Sequence, residues 1–205
     1  MTGAVFVAIE GPNGVGKSTV VAAAAQLLER EMGMRVHVTK EPSSTALGAA
    51  IRSLEPTLPA QALALACAAD RLDHLAREVE PALAAGATVL SDRYVPSSLV
   101  LQRLDGLELE EIWALNKSAR TPTLTVYLDD EAATIDGRLA ARDAGARFEA
   151  AGAAAREIAF YRDARAFLDT HGWAQAVVDC RGRPPDDIAR ELAVLIENTS
   201  RGRGG

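Results

Sequence analysis

The stretch AVFVAIEGPNGVGKST, residues 4–19, decides the fold class of this 205-residue chain. It begins with a short apolar run that is rich in β-branched side chains, which is typical of a buried strand. Residues 11–18 then match the pattern G-x-x-x-x-G-K-[ST] without a mismatch. From residue 18 onward, apolar side chains recur at helical spacing. A strand, a glycine-rich loop and a helix in this order predict a phosphate-binding loop in an α/β protein.

The residue types in this loop suit a nucleotide triphosphate. Glycines let the backbone close around phosphate oxygens with its N–H groups pointing inwards, and the following helix N-terminus adds partial positive charge. We expect Lys17 to reach the β- and γ-phosphates of ATP or GTP, and Ser18 to bind Mg²⁺. The predicted ATP-binding residues of the loop are Asn13, Gly14, Val15, Gly16, Lys17, Ser18 and Thr19.

The rest of the chain alternates between strand-like runs and helical stretches. Further strands are predicted at residues 35–39, 87–90, 124–128 and 174–178. Strands that alternate with helices indicate βαβ units and a parallel sheet covered on both faces. The longest helical stretch, residues 61–85, contains Pro81, which we expect to kink or end it. With no linker or repeat, the sequence predicts one domain over residues 1–200 and a frayed tail at residues 201–205.

Composition excludes several classes of protein. The chain has 22 Lys and Arg against 28 Asp and Glu, a formal net charge of −6, whereas nucleic-acid-binding surfaces are usually basic. No apolar run is long enough for a transmembrane helix, and the N-terminus lacks the basic start of a signal peptide. Two cysteines, Cys67 and Cys180, are too few for a disulfide framework or a structural zinc site. We expect a cytoplasmic protein without nucleic-acid or membrane partners.

Four other segments follow the phosphate loop in an order that is informative about the family. They are TKEP with LGAAIR (residues 39–42 and 47–52), ADR (69–71), DRYVPSS (92–98) and the series Arg138, Arg142, Arg147. In this order the chain resembles the thymidylate kinase family from about residue 5 to residue 196. The resemblance implies an α/β fold of the P-loop kinase type. This is a three-layer sandwich whose five-stranded parallel sheet is flanked by helices, with a lid at about residues 138–150.

The resemblance also implies an activity, which is ATP-dependent phosphorylation of a pyrimidine nucleoside monophosphate, dTMP by default, with Mg²⁺. It assigns the acceptor phosphate to Arg93 and Arg52 and places Asp92 near the metal ion. Arginine suits a phosphate because its planar fork binds two oxygens. Arg71 would read the pyrimidine edge, with an ion pair to Asp70 or Glu78 as the alternative. The implied acceptor-binding residues are Glu41, Pro42, Arg52, Cys67, Arg71, Arg93, Ser98, Leu101 and Gln102. A homodimer is implied as well, with residues 61–85 as a possible interface.

The lid arginines complete the implied catalytic set. Arg138 and Arg142 are four residues apart and share one helix face, and Arg147 follows across a glycine. Members of the family carry a catalytic basic residue either in the phosphate loop or in the lid, and residues 12–15 contain none. Arg138 and Arg142 are therefore expected to bind ATP. The expected catalytic residues are Lys17, Asp92, Arg93, Arg142 and Arg147.

Three positions depart from the family pattern. Asn13 stands where an acidic residue is usual, Cys67 replaces an aromatic that stacks on the base, and Leu101 replaces a tyrosine that lies against the sugar. Ser43 and Ser44 are a milder departure, since two glycines are common there. Loss of a stacking aromatic weakens base binding. A modified or ribo-pyrimidine monophosphate therefore remains an alternative acceptor.

Two other functions stay open at this point. A kinase of the same fold that phosphorylates a nucleoside or small-molecule hydroxyl would need a carboxylate base, and Glu41 or Asp92 would be available. A nucleotide-binding regulator without turnover is the second alternative. The intact Lys17 and the three lid arginines speak against the regulator.

Overall fold

The computed structural model describes residues 3–141 and 153–202. The strands are β1 (Phe6–Glu10), β2 (Val36–Lys40), β3 (Thr88–Asp92), β4 (Leu124–Asp129) and β5 (Gln175–Asp179). The helices in these residues are α1 (Lys17–Arg30), α2 (Ala46–Leu54), α3 (Ala60–His74), α4 (Glu80–Ala84), α5 (Val95–Leu104), α6 (Leu109–Asn116), α7 (Ala132–Ala140), α8 (Ala154–Thr170) and α9 (Pro185–Gly202). A π-helical turn, Leu75–Val79, joins α3 to α4.

All five strands are parallel, in the order β2-β3-β1-β4-β5. The predicted fold class is confirmed, and each predicted strand lies within two residues of the observed one. Strand β1 is central, and its Ile9 pairs with Asp92 of β3. The carboxyl ends of parallel strands share one edge of the sheet, where open α/β proteins bind their ligands. The phosphate loop after β1 and the segment after β3 therefore emerge side by side.

The core lies on both faces of the sheet. Val7 and Ile9 of β1 pack in a cluster with apolar side chains of α1 and α9. The alternate residues of β1, Phe6 and Ala8, belong to a second cluster with side chains of α5 and α8. Successive side chains of a strand point to opposite faces. All of β1 is therefore buried, which holds the start of the phosphate loop rigidly in the middle of the sheet.

The predicted helix at residues 61–85 does not end at Pro81. Its α-helical hydrogen bonding is instead interrupted by the π-helical turn just before that residue. The backbone N–H of Glu80 donates to Leu75 O, five residues back, in the π-helical turn. Pro81 follows directly in the first turn of α4, and the helical path continues through it to Ala84. Helix α5 was not predicted, although Pro96 in its first turn is a typical helix start.

The C-terminal prediction needs a correction. Helix α9 continues to Gly202, so residues 201 and 202, expected to be frayed, are helical. Ser200 ties this helix to the segment before β1, because Ser200 Oγ donates to Gly3 O at 2.6 Å. Residues 203–205 lie outside the described part of the chain. Among the described helices, none combines the length and apolarity needed to cross a membrane.

Two glycines in helices give a matched test of packing. A Cβ added to Gly48 in α2 would lie 2.1 Å from Ser43 O, whereas a Cβ added to Gly137 in α7 would meet nothing within 4 Å. We expect Gly48→Ala to lower the free energy of unfolding by about 1–3 kcal/mol, because the backbone at Ser43 must shift. Gly137→Ala should raise it by about 0.5–1 kcal/mol through helix propensity. Urea denaturation measures both, and a change of the same sign in the two variants would contradict the assignment.

Candidate active site

The phosphate loop surrounds an open polar cleft. Gly14 and Gly16 take positive φ angles of 81° and 103°, which glycine adopts without strain. The cleft is lined by Asn13, Gly14, Gly16, Lys17, Ser18, Thr19, Asp92 and Arg93. All predicted loop residues except Val15 are in this set. The Val15 side chain is 4% exposed and packs in the core instead.

Lys17 is the first residue of α1 and is folded back on the loop. Its Nζ donates to Gly11 O at 2.7 Å and to Pro12 O at 2.9 Å. Burial and the nearby positive charge of Arg93 lower the pKa of Lys17, because both disfavour the ammonium form. An anion in the cleft would favour the charged form. A phosphate bound in the cleft would therefore favour the charged ammonium form of Lys17.

Ser18 and Asp92 form an oxygen-rich pair at the cleft. Ser18 Oγ donates to Asp92 Oδ2 at 2.5 Å, and Asp92 Oδ1 is buried with no hydrogen-bond partner among the described residues. A hydroxyl and a carboxylate with an unused oxygen fit Mg²⁺, which binds one or two carboxylates beside substrate phosphates. No group of three or more His, Cys, Asp or Glu in residues 3–141 and 153–202 is arranged to hold a metal. The phosphates would have to complete the coordination.

Arg93 follows β3 in a strained conformation. Its φ angle is 77°, a left-handed value that costs free energy for any residue with a Cβ. Its side chain is aimed into the site, since Nη2 donates to Asn13 Oδ1 at 2.5 Å and Nη1 donates to Ser97 Oγ at 3.2 Å. Strain of this kind persists where surrounding contacts impose it, and it concentrates at functional sites.

A second cleft adjoins the first. It is lined by Glu41, Pro42, Cys67, Asp70, Arg71, Arg93, Tyr94, Ser97, Ser98, Leu101 and Gln102. Every predicted acceptor-binding residue except Arg52 is among them. Arg93 borders both clefts. One guanidinium therefore lies where a ligand of the first cleft would meet a ligand of the second.

Arg71 is fixed at the bottom of the second cleft. Its Nε donates to Glu41 Oε2 at 2.7 Å, and its Nη2 donates to Ser98 Oγ at 2.9 Å. Its Nη1 donates to the Asn116 side chain. The ion pair is thus with Glu41, and the sequence-based alternative of Asp70 or Glu78 is wrong. Asp70 instead accepts hydrogen bonds from the Ser43 backbone and hydroxyl, which hold the loop at the wall of the cleft.

The two carboxylates considered as a base both have hydrogen-bonding or ionic partners. Glu41 is buried and contacts Arg71 and the ring of buried His74. Asp92 lines the phosphate cleft and accepts from Ser18. Neither carboxylate is free in the second cleft, so the geometry gives no support to a kinase that deprotonates a hydroxyl.

The apolar wall of the second cleft contains the two substituted positions. Cys67 and Leu101 pack against the small cluster of Ile51 and Leu63. Burial raises the pKa of the Cys67 thiol to about 11, so this side chain is neutral. Nearby Gln102 is 4% exposed, and its Oε1 has no partner in the described part of the chain. A flat ligand with an N–H group would have an aliphatic surface and a hydrogen-bond acceptor here.

The remaining predicted arginines lie at the edges of the site or beyond the described residues. Arg52 is exposed, and its Nη1 donates to the carbonyls of Pro42 and Ser43 at 2.6 and 2.7 Å. Arg138 donates to Asp130 Oδ2 at 2.9 Å behind the phosphate loop and lines neither cleft. Arg142 and Arg147 lie outside the described residues, so their roles stay predictions.

Sequence reasoning missed two buried carboxylates. Glu10 accepts from the Tyr94 backbone and from Ser97 Oγ, each at 2.6 Å, and burial raises the pKa of Glu10. Glu157 of α8 is 0% exposed and accepts from Asn13. A charged residue at the end of an apolar strand was a signal for Glu10. Glu157 lies in a helix with many charged residues, where nothing sets it apart.

The strain at Arg93 can be measured directly. Arg93→Gly and Arg93→Ala both remove the guanidinium, but only glycine adopts a φ of 77° without a Cβ clash. We expect the glycine variant to be more stable than the alanine variant by about 1 kcal/mol. Equal urea midpoints, or a more stable alanine variant, would show that the backbone at this position carries no strain.

Comparison with known proteins agrees with this geometry. Residues 9–168 match the family model described as Thymidylate kinase. A "Probable thymidylate kinase" from Pyrobaculum calidifontis is 35% identical over 197 residues, which cover 94% of this chain and 95% of that protein. The "Thymidylate kinase" of Clavibacter sepedonicus is 41% identical over 94% of this chain and 93% of its own length. The family model matches well over half of the sequence, and these two relatives align with nearly all of it. The chain therefore belongs to the thymidylate kinase family.

Proposed function

We propose that the protein transfers the γ-phosphoryl group of ATP to the 5′-phosphate of dTMP, giving ADP and dTDP for nucleotide biosynthesis. One observation carries this proposal, which is that Arg93 borders both the phosphate-loop cleft and the cleft of Arg71 and Gln102. Relatives named thymidylate kinase, with which the chain aligns over most of its length, supply the choice of acceptor.

The donor side follows from the phosphate loop. The phosphates of ATP bind the backbone N–H groups of residues 13–19, and Lys17 exchanges its two carbonyl contacts for phosphate oxygens. Ser18 and Asp92 would hold Mg²⁺ through the oxygens described above. Bound there, the ion neutralises negative charge on the phosphates.

The acceptor side needs no general base. The 5′-phosphate of dTMP is already a nucleophile, so the protein contributes positioning and electrostatic stabilisation. Arg93 binds this phosphate between the clefts, and Arg52 approaches it from the rim. The pyrimidine ring lies on the wall of Cys67 and Leu101, with its polar edge toward Arg71 and Gln102. Arg71 is held by four hydrogen bonds, so it meets the base in a fixed orientation.

The lid arginines supply the remaining positive charge in this proposal. Residues 12–15 contain no basic side chain, and the migrating phosphoryl group needs stabilisation as charge develops. We assign that role to Arg142 and Arg147. Arg138, which contacts Val15 O at 3.3 Å, is assigned to ATP at the back of the loop.

We also propose a cytoplasmic homodimer. Leu65 and Leu72 of α3 are 51% and 46% exposed, and Leu47 and Leu54 of α2 are 39% and 48% exposed. Residues seven apart share one helix face, and exposed apolar patches of this kind often mark protein interfaces. The free thiols of Cys67 and Cys180 are in keeping with a reducing compartment.

An acceptor assay tests the activity. With ATP and Mg²⁺, we expect turnover of dTMP and none of thymidine. Among the described residues, the second cleft offers a phosphate-binding arginine but no free carboxylate base. Lys17→Ala should lower kcat by about 10²–10³-fold through lost charge stabilisation. Lys117→Ala, at an exposed lysine, is the matched control. Phosphorylation of thymidine, or normal turnover by Lys17→Ala, would refute the proposal.

ATP binding should also take up protons. Burial and Arg93 lower the pKa of Lys17 in the free protein from its ordinary value of 10.5 to about 7, so between these two pH values Lys17 is largely the neutral amine. The triphosphate raises this pKa again, so binding adds a proton and ATP affinity falls as pH rises through the window. Calorimetry in two buffers of different ionisation enthalpy measures the uptake. Zero uptake, or the same uptake in Lys17→Met, would contradict this account.

A further inference from the structure

Glu157 is a buried carboxylate whose two oxygens meet the same residue of the phosphate loop. It lies in the first turn of α8 and is 0% exposed. Its Oε2 accepts from the backbone N–H of Asn13 at 2.8 Å, and its Oε1 accepts from Asn13 Nδ2 at 3.1 Å. A buried charge is costly unless hydrogen bonds compensate it. This pairing of α8 with the phosphate loop is therefore specific.

The carboxylate fixes which way the Asn13 amide points. An ionised carboxylate can only accept hydrogen bonds, so Asn13 must turn its NH₂ group toward Glu157. Its Oδ1 then faces the other way and accepts from Arg93 Nη2 at 2.5 Å. A flipped amide would set NH₂ hydrogens against the guanidinium. Glu157 thus determines the acceptor that orients Arg93.

Arg93 is held in a similar way on its other side. Its Nη1 donates to Ser97 Oγ at 3.2 Å, and that hydroxyl donates to buried Glu10 at 2.6 Å. Each carboxylate reaches the guanidinium through a neutral side chain. The guanidinium has five N–H donors, so one hydrogen bond on each side leaves donors for phosphate. The two relays hold the arginine and leave its charge for a ligand. Burial lowers the pKa of Arg93, but the acidic groups around it, Glu157 among them, raise it overall.

We propose that Glu157 is a positioning residue for the acceptor phosphate, acting on Arg93 through Asn13. This inference rests on the proposed kinase function. In electrostatic terms, the pair of Asn13 and Glu157 is equivalent to a carboxylate at position 13. The negative charge comes from α8 instead of from the loop.

The equivalence makes a charge exchange possible. Glu157→Gln leaves one acceptor oxygen for two donors of Asn13, so the amide loses its fixed orientation. Asn13→Asp sets two carboxylates in contact, which raises the pKa of one of them. In the double variant, the carboxylate at position 13 accepts from Arg93 and from the NH₂ group of the introduced glutamine, while the glutamine oxygen accepts from the residue 13 backbone. Every donor then has an acceptor again.

The experiment compares wild type, Glu157→Gln, Asn13→Asp, the double variant and Asp169→Asn. The last removes a carboxylate from an exposed position of the same helix. The measured quantities are kcat and KM for dTMP and for ATP between pH 6 and pH 9, and urea midpoints without substrate. The other titratable groups around the pair are Lys17, Glu10, Asp92, Arg93 and Tyr161, and they are unchanged in all five proteins.

Glu157→Gln should lower kcat/KM for dTMP by about 10- to 100-fold, the cost of a misplaced positioning group, with KM for ATP changed by less than about twofold. Asp169→Asn should match wild type. Asn13→Asp should lose dTMP activity as pH rises, because the shared proton is released and the two carboxylates repel. The double variant should regain at least about tenfold over Glu157→Gln, since the two changes are coupled.

Equal kcat/KM values for Glu157→Gln and Asp169→Asn, or a double variant no better than Glu157→Gln, would overturn the positioning role. If Glu157→Gln fails to fold, the pH profile of Asn13→Asp decides instead, and a profile like that of wild type overturns the proposal. If wild type does not phosphorylate dTMP, the proposed function fails. The urea midpoints then test the contact between Asn13 and Glu157. That contact requires Asn13→Asp to be less stable than wild type and the double variant to recover the lost stability.

Discussion

The site depends on one strand register, the pairing of Ile9 in β1 with Asp92 in β3. Both strands are parallel, so the residues that follow each strand leave the sheet at the same level. Ser18 can then reach Asp92, and Asn13 can reach Arg93. A shift of one residue would turn the buried side chains of β1 to the wrong faces of the sheet. The two packed cores therefore enforce the geometry of the phosphate site.

Buried charge in this site is compensated mostly by neutral hydrogen-bonding groups. Lys17 rests on backbone carbonyls, Glu10 accepts from a serine and a backbone N–H, and Arg93 donates to a serine and an asparagine. Such contacts are weaker than ion pairs but satisfy the buried groups. The charges stay available to substrate phosphates. Arg71, which would meet an uncharged base, is by contrast paired directly with Glu41.

Local patterns in the sequence predicted the strands, the phosphate loop and most helices, because periodicity and glycine placement act over a few residues. The predicted acceptor-binding residues followed from the resemblance, and all of them except Arg52 line the second cleft. Contacts between distant segments were not predictable in this way. Glu157 meets Asn13 across 144 positions, and Arg71 pairs with Glu41 across 30. Such partners depend on how helices dock on the sheet. The roles of Arg142 and Arg147 stay predictions, since both lie outside the described residues.

The π-helical turn Leu75–Val79 changes the direction in which side chains point around the axis of one long helix. A wider turn contains one extra residue, which rotates everything after it by about 100° relative to a regular α-helix. Arg71 precedes the turn and lines the second cleft, while Val79 lies in the turn and packs in the core on one face of the sheet. The side chains before the turn can therefore be oriented toward the site, and those in and after it toward the core, independently of each other. A deletion of one residue here would force the two demands into conflict.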